Sequence, residues 1–570
     1  MATYYIATTG SDTTGNGSIV TPWKTLYKAC TTVTSSGNTI FVSGGTYTET
    51  QQCPLSIGVN IDGAGKDVVS IRSDFTGLGL VEMWSSSITV ANQSIKNVSF
   101  DGLSKGSDAI HMTRRSAINI DNCNFSNFVS GACYATDSLD NDSSPAIYGI
   151  NVTNCSFTDC TVYLAAGSPG MIWHRGVKDY VITNNTVTAN YLTGDTAGFL
   201  VKGSHNQNVR ISGNTLSVIG HDDVKWAFAI EYNHVLGGIQ IDHNTIQGVL
   251  DFAGNHCSKG LYDYSLWIHN NILGHQSLST RWQDCIYLAN YSANSGQTMS
   301  DVIIEDNVIT SVTRGITFMK DNQSQFNRIN IRRNTMTNVG IISGSGLGWG
   351  ITWSGNGGVF NDINIYNNTI IATTSGGTNP LVGINLPVYN STTTNYRIIN
   401  NIIQQFDNSP IMTDGSYLTG TIDYLYIQNN DFYQNGNSNN PKWWGIVPTN
   451  ITSGGTLKVD PLFISLTDFR LQSGSTLINA GLDVGLPFTG TAPDIGTFEY
   501  GSIYFDSTNG DDNGSGTTIT PYRSLTKLNS VAATMPTGTT IYLKRDSEWY
   551  GGPTIYPTKS GSINNRMTID

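Results

Sequence analysis

Apolar and polar residues alternate in short stretches along this chain, and one short phrase returns at near-constant intervals. The phrase is an apolar residue, any two residues, Asn, any residue, then a second apolar residue. It first reads Ile182…Asn185…Val187 and recurs around Asn214, Asn244, Asn271, Asn307, Asn334, Asn368, Asn401 and Asn430. Three earlier copies keep the apolar pair but place Val98, Cys123 and Cys155 in the middle. The steps between middle residues run from 25 to 36. A repeat of that period predicts a solenoid. The unit is rich in Thr, Asn, Ser, Gly and Ile, which is strand chemistry separated by turn chemistry rather than the chemistry of helical repeats. Coils of about 30 residues with three short strands fit a parallel β-helix, with neighbouring coils ~4.8 Å apart.

Two reasons predict the recurring Asn. A tight turn favours a residue that tolerates left-handed backbone angles. The side-chain amide can also bond the same amide one coil on, as a ladder along the axis. Cys123 and Cys155 in the same column predict that it faces inward, since cysteine packs as a small apolar residue.

A second column precedes each phrase. It comprises Gly170–His174, Gly198–Lys202, Ala227–Glu231, Cys285–Ala289, Gly315–Met319, Gly350–Ser354 and Gly383–Pro387. The second and fourth residues of each are apolar, so they are predicted to point inward, with the third and fifth outward. Trp173 and Trp353 fall on the inward set and read as core rather than as sugar platforms.

The termini follow another pattern. Tyr4-Tyr5-Ile6, a polar loop from Gly10 to Ser18, and Thr21-Pro22-Trp23-Lys24-Thr25-Leu26 predict a strand, then a capping helix opened by Thr and Pro. Such a helix would hide the open edge of the solenoid. Ile40-Phe41-Val42 and Gly45-Thr46-Tyr47 then begin the first coil. The same order recurs at Ile503-Tyr504-Phe505, Gly510-Asp511-Asp512, Thr520–Leu525 and Ile541-Tyr542-Leu543. The resulting division is a cap and first coil (1–60), coils (61–458), a terminator (459–501) and a second starter opening a further β-helix (502–570).

Starter, Asn-marked coils and terminator together resemble the right-handed parallel β-helix proteins of the pectate-lyase superfamily. The resemblance covers nearly the whole chain and implies an all-β, right-handed parallel β-helix. It is specific for fold and poor for function, because that superfamily includes polysaccharide lyases, glycoside hydrolases, epimerases, adhesins and phage tailspikes.

Composition narrows the field. Charged residues are only 13% of the chain and the net charge is −12, which argues against nucleic acid as a partner. No apolar stretch reaches the ~18 residues of a membrane span. Met1-Ala2-Thr3-Tyr4-Tyr5 runs straight into a strand with no features of a signal peptide. Either a leader was removed, or the chain is made in the cytoplasm and leaves by another route, as a virion component released by lysis would. The eight cysteines show no zinc spacing and are expected mostly as free thiols.

Chemistry is expected at the fifth position of the strand column. His174, Lys202 and Glu231 occupy it in successive coils as candidate catalytic residues, flanked by Arg175 and Tyr232, which with His221, Asp222 and Asp223 are candidate carbohydrate-binding residues. A base, a cation and an acid in line suit elimination on a uronate polymer, where Lys or His takes the C5 proton and a cation neutralises the carboxylate. The alternative is a surface ion pair between Lys202 and Glu231, worth ~0.2–1 kcal/mol. A second cluster is Gly220-His221-Asp222-Asp223 with Lys225, whose paired acids are hydrolase-like. The polygalacturonases of the resembled superfamily carry a double aspartate and a nearby Gly-His-Gly. Those motifs are absent here as such, and a polar turn is the alternative. No cofactor is required, although the Asp-rich loops at Asp12, Asp140–Asp142 and Asp511–Asp512 offer oxygen ligands for calcium, as well as ordinary turn chemistry. These readings favour a rigid surface-display protein contacting cell-surface polysaccharide, such as a virion tail or fibre component or an adhesin, with other copies of itself or virion proteins as further candidate partners. A polysaccharide depolymerase, lyase before hydrolase, is the runner-up. A structural spacer in a tandem array is the third reading.

Overall fold

The computed structural model describes residues 1–137, 145–160, 170–192, 197–220, 226–253, 256–257, 259–274, 284–289, 298–320, 324–340, 348–355, 357–373, 381–387, 391–413, 420–443, 447–518, 520–532, 539–544, 547–549 and 568–569. The chain packs as two compact units. The first comprises Met1–Trp267, Leu273–Ala293 and Gln297–Met299; the second comprises Ile268–Ile272, Asn294–Gly296 and Ser300–Asp570.

Each unit is a stack of right-handed parallel β-helical coils. A representative coil of the first unit runs through the strands Ile172–Arg175, Val177–Thr183 and Thr186–Leu192. Each segment pairs in parallel with its counterpart in the next coil, as in Ile182↔Ile211, Ile211↔Ile241 and Val187↔Leu216. Identical positions therefore stack, and apolar ones make interior columns. Phe100, Phe125 and Phe157 are one such column, with ring centroids 5.4 and 4.7 Å apart. The second unit repeats the plan with Ile331↔Ile365, Ile365↔Ile398 and Ile398↔Ile427, all buried. Trp353 lies in this interior as expected, stacked 4.0 Å from Phe318 and donating its indole N–H to the Tyr396 hydroxyl.

The Asn column is a buried amide ladder. Asn185 donates from Nδ2 to Asn214 Oδ1 at 3.0 Å, and Asn214 to Asn244 at 2.9 Å. In the second unit the ladder runs Asn271, Asn307, Asn334, Asn368, Asn401 and Asn430 with the same bond at 2.9–3.0 Å. Each Oδ1 also accepts the backbone N–H of the preceding ladder residue, and the amide N–H groups also reach main-chain carbonyls such as Ile182 O and Ile304 O. Cys155 joins the same column, its N–H donating to Asn185 Oδ1. The turn argument needs correction. The left-handed residue is the one before the ladder position, for example Asn184, His243, Asp306, Asn367 and Asn400. The ladder Asn is selected by its amide, not by its backbone angle.

The starter has its strand at Thr3–Ile6 paired with Thr39–Val42 and its helix at Leu26–Thr32. The helix begins later than the Thr-Pro signal implied. Thr25 is the N-cap, and Pro22 lies outside the helix, before the bridge between Trp23 and Ile6. The cap is reinforced by Glu49, which accepts the N–H groups of Leu26 and Tyr27. Asp12 accepts from Lys24 N, Thr25 N and Thr25 Oγ1, so turn and cap chemistry account for that acid. The second starter repeats the strand pairing and the aspartate bonds. Ser502–Phe505 pairs with Thr540–Leu543, and Asp512 accepts from Arg523 N, Ser524 N and Ser524 Oγ ahead of the helix Leu525–Ala532. Asp140–Asp142 lie outside the described residues. All eight cysteines are buried free thiols.

Candidate functional site

In the first unit one segment of each coil stacks in parallel on its counterpart in the next. The stack includes Ile110–Asp121, Cys133–Thr136, Ile172–Arg175, Ala197–Ser212, Trp226–Val235 and Val249–Ala253. The register sets Ile172 against Val201, and Val201 against Ile230, on the buried face. The next position outward is then a continuous column: Glu82, His111, Tyr134, Trp173, Lys202, Glu231, Asp251 and Tyr287.

Chemistry changes along that column. His111, Tyr134 and Trp173 form a three-ring stack, with centroids 4.3 and 4.1 Å apart and planes within 12° and 21°. His111 Nδ1 lies 3.0 Å from Asp108 Oδ2. Burial, reinforced by Asp108, pushes the Tyr134 hydroxyl up to about 12. Beyond Trp173 the column becomes charged. Lys202 Nζ sits 3.1 Å from Glu231 Oε1, which also accepts a bond from Asn233 Nδ2. The next coil places Asp251 in register with Glu231. Asp251 is only 4% exposed, and among the described residues its Oδ1 has no hydrogen-bond donor. Burial, then the nearby Glu231 and Asp284 carboxylates, hold its carboxyl well above the usual carboxylate range, against the pull of Lys202. A carboxyl whose protonated form is favoured by burial, beside one paired with an ammonium, is an arrangement suited to acid catalysis.

The structure brings some of the expected site residues together and separates others. Lys202 and Glu231 do meet on the outer column, and Arg175 lies on the same outer face, two residues beyond Trp173. His174 does not join them. Register pairs Lys202 with Trp173, so the strand is one residue out of the expected alignment and its faces are exchanged. His174 is fully buried, with burial pushing its imidazole down to about 3. Tyr232 is also buried rather than sugar-facing, and its hydroxyl lies 2.6 Å from His174 Nε2. That contact crosses the intervening coil at Gly203, where a Cβ would stand 2.4 Å from the Tyr232 ring. Trp173 moves the other way, from the expected core to the outer column. His221, Asp222 and Asp223 lie outside the described residues.

Sequence reasoning missed His111, Tyr134, Trp173 and Asp251. For two of them a signal existed. Trp173 and Lys202 each precede their ladder Asn by 12 residues (185 − 173 and 214 − 202), and His111 precedes Cys123 by the same 12. Asp251 lies 20 residues before Asn271 (271 − 251), so counting from the ladder does not reach it.

No family model and no curated sequence matches this chain. Among solved structures, it is similar to the mannuronan C-5 epimerase AlgE6 A-module of Azotobacter vinelandii, at 11% identity over 76% of this chain and 93% of that one, with a TM-score of 0.32. It is also similar to the tailspike of E. coli bacteriophage HK620 in complex with pentasaccharide, at 14% identity over 73% and 74%, TM-score 0.38. A third is pectate lyase Pel9A, at 15% identity over 88% and 96%, TM-score 0.24.

Proposed function

We propose that this chain engages polysaccharide along the outer column of the first unit and cleaves it by hydrolysis. The observation that carries this reading is the register pair Glu231–Asp251: two carboxyls on adjacent coils, one paired with Lys202, the other driven toward its protonated form. Asp251 would give its proton to the departing glycosidic oxygen. Glu231 would attack the anomeric carbon, and water activated by the resulting Asp251 carboxylate would release the sugar. Lys202 orients Glu231. The ring stack presents edges rather than faces outward, so it serves as a wall beside the chain. Elimination on a uronate is less well supported, because His174 is buried and the Lys202 ammonium is engaged with Glu231. The setting that suits a rigid β-helix of this kind is the surface of a particle, such as a virion tail or fibre. Among the described residues no helix is long and apolar enough to cross a membrane.

A display role without cleavage is the second reading. It is favoured by the low exposure of the Lys202 and Glu231 side chains, 13% and 10%. A panel of neutral and acidic polysaccharides separates the readings. Hydrolysis predicts new reducing ends without the ultraviolet absorbance of an unsaturated product. Absorbance rising with chain cleavage would restore the lyase, and binding without either signal would leave display.

A further inference from the structure

The second unit holds a separate open groove of about 760 Å³, outside the third strand column of its coils. Its floor is set by register. Thr310 pairs with Thr337, Ile371 with Gln404, and Gln404 with Tyr433, while the intervening Ile309, Met336, Ile370, Ile403 and Phe432 point into the core. Beside this floor stand Asn338, Gln405 and Gln434, each in the left-handed backbone conformation.

The facing wall is the hairpin in which Phe463 pairs antiparallel with Leu471. Phe463 and Phe469 meet edge to face at 5.3 Å, and Gln472 donates to Phe463 O, so the wall is braced from within. The hairpin turn is closed by Ser465, whose Oγ accepts from Thr467 N and Asp468 N.

The lining is specific in its chemistry. Amides and hydroxyls each donate and accept, which matches the mixed needs of sugar hydroxyls. Rings on floor and wall offer apolar faces for the C–H side of a pyranose. Among the described residues the single charged one in the lining is Asp460, and none is Lys or Arg. Gln404 Oε1 is buried on the floor without a hydrogen-bond donor among the described residues, an acceptor that a ligand hydroxyl would satisfy. The volume falls within the range of built ligand sites, about 300–1,000 Å³. A peptide adding as a strand would need a free sheet edge, and the outermost floor strand, Asp431–Tyr433, is met on its outer side by Leu457, which bridges Asp431 and accepts the N–H of Phe432.

We infer that this groove is a binding site for an uncharged oligosaccharide, distinct from the charged column of the first unit. It holds glycan without cutting it, since its lining contains no pair of carboxyls. The test is saturation-transfer NMR on the full chain with cellohexaose, maltohexaose, mannohexaose and chitohexaose, and with hexagalacturonate as the charged comparison. Asp251→Asn is used throughout, so that first-unit cleavage cannot erode the ligands. We expect transfer to at least one neutral hexasaccharide and none to hexagalacturonate in competition with it. Gln404→Ala with Gln434→Ala should weaken that binding by about tenfold, as the loss of two neutral hydrogen bonds implies. Tyr433→Leu, which leaves both amides in place, should weaken it as well. Transfer to none of the neutral ligands, transfer confined to hexagalacturonate, or binding unchanged in all these variants would overturn the inference. So would sedimentation showing that the groove is closed by a second copy of the chain.

Discussion

The two units use the same strand column in different ways. In the first, the outward positions carry His111, Tyr134, Trp173, Lys202, Glu231 and Asp251. In the second, the matching outward positions Thr317, Thr352, Asn385 and Met412 are all buried and none is ionisable, and a single charge, Lys442, follows at the end of the column. The inward neighbours hardly differ: Ile172, Val201 and Ile230 in one, Ile316, Ile351 and Ile384 in the other. A β-helix thus fixes its interior and leaves its outer face free to vary, so the ionisable run in the first unit is not something the fold demands.

The largest expected effect falls on that run. If Glu231 is the attacking carboxylate, Glu231→Gln should lower cleavage by about 10²–10⁴-fold, while Thr352→Val in the second unit should leave it unchanged. Register partners one strand spacing apart leave less room than the ~6.5–9.5 Å an inverting pair needs, so NMR of the first product should show retained anomeric configuration. Inversion would move the catalytic pair elsewhere.

Stability should divide the units next. Lys202→Met leaves Glu231 shielded from water without its cation and should cost about 3 kcal/mol in denaturant unfolding. Thr352→Val removes one hydroxyl that accepts from Asn385 and should cost about 1 kcal/mol. The ladder should show no such contrast. Asn214→Ala and Asn334→Ala each remove a fully bonded buried amide and should each cost about 2–3 kcal/mol.

A smaller contrast concerns pH. The segment after Val459 in the second unit is held through two buried carboxyls and a half-buried one, raised by desolvation to about 7 at Asp431, about 6 at Asp494 and about 8 at Glu499. Raised folded values mean that the native state binds more protons than the unfolded chain. This stabilisation is full below the ordinary carboxylate range and is lost as pH rises through these values. Melting of the full chain should therefore shift downward between pH 5 and pH 8, and Asp431→Asn should flatten the shift. An upward shift would contradict the sign.

How far the sequence reached follows from what repeats. The ladder and interior columns repeat in every coil, so period alone placed Ile182, Asn185 and Val187 and their successors. The site does not repeat. Aligning strands on their leading Gly put His174 beside Lys202, and a slip of one residue exchanged the core and surface faces of that strand. Asp251 was hidden for a different reason. The segment between its strand and its ladder Asn is eight residues longer than the one after Lys202 (20 − 12), and the strand shifts register between Phe228 and Ile230. The paired acids at Asp222 and Asp223 drew attention by adjacency in sequence, whereas Glu231 and Asp251 are adjacent only across coils.

Asp251 is proposed to supply the catalytic proton. The most direct test is reducing-end release from a susceptible polysaccharide by wild type, Asp251→Asn and Asp284→Asn, each shown to melt at the same temperature. The account predicts that Asp251→Asn loses cleavage by at least about 10²-fold. It also predicts that Asp284→Asn stays active, with the alkaline limb of its pH profile moved to lower pH, because one carboxylate that raises Asp251 is gone. Full activity in Asp251→Asn would contradict it.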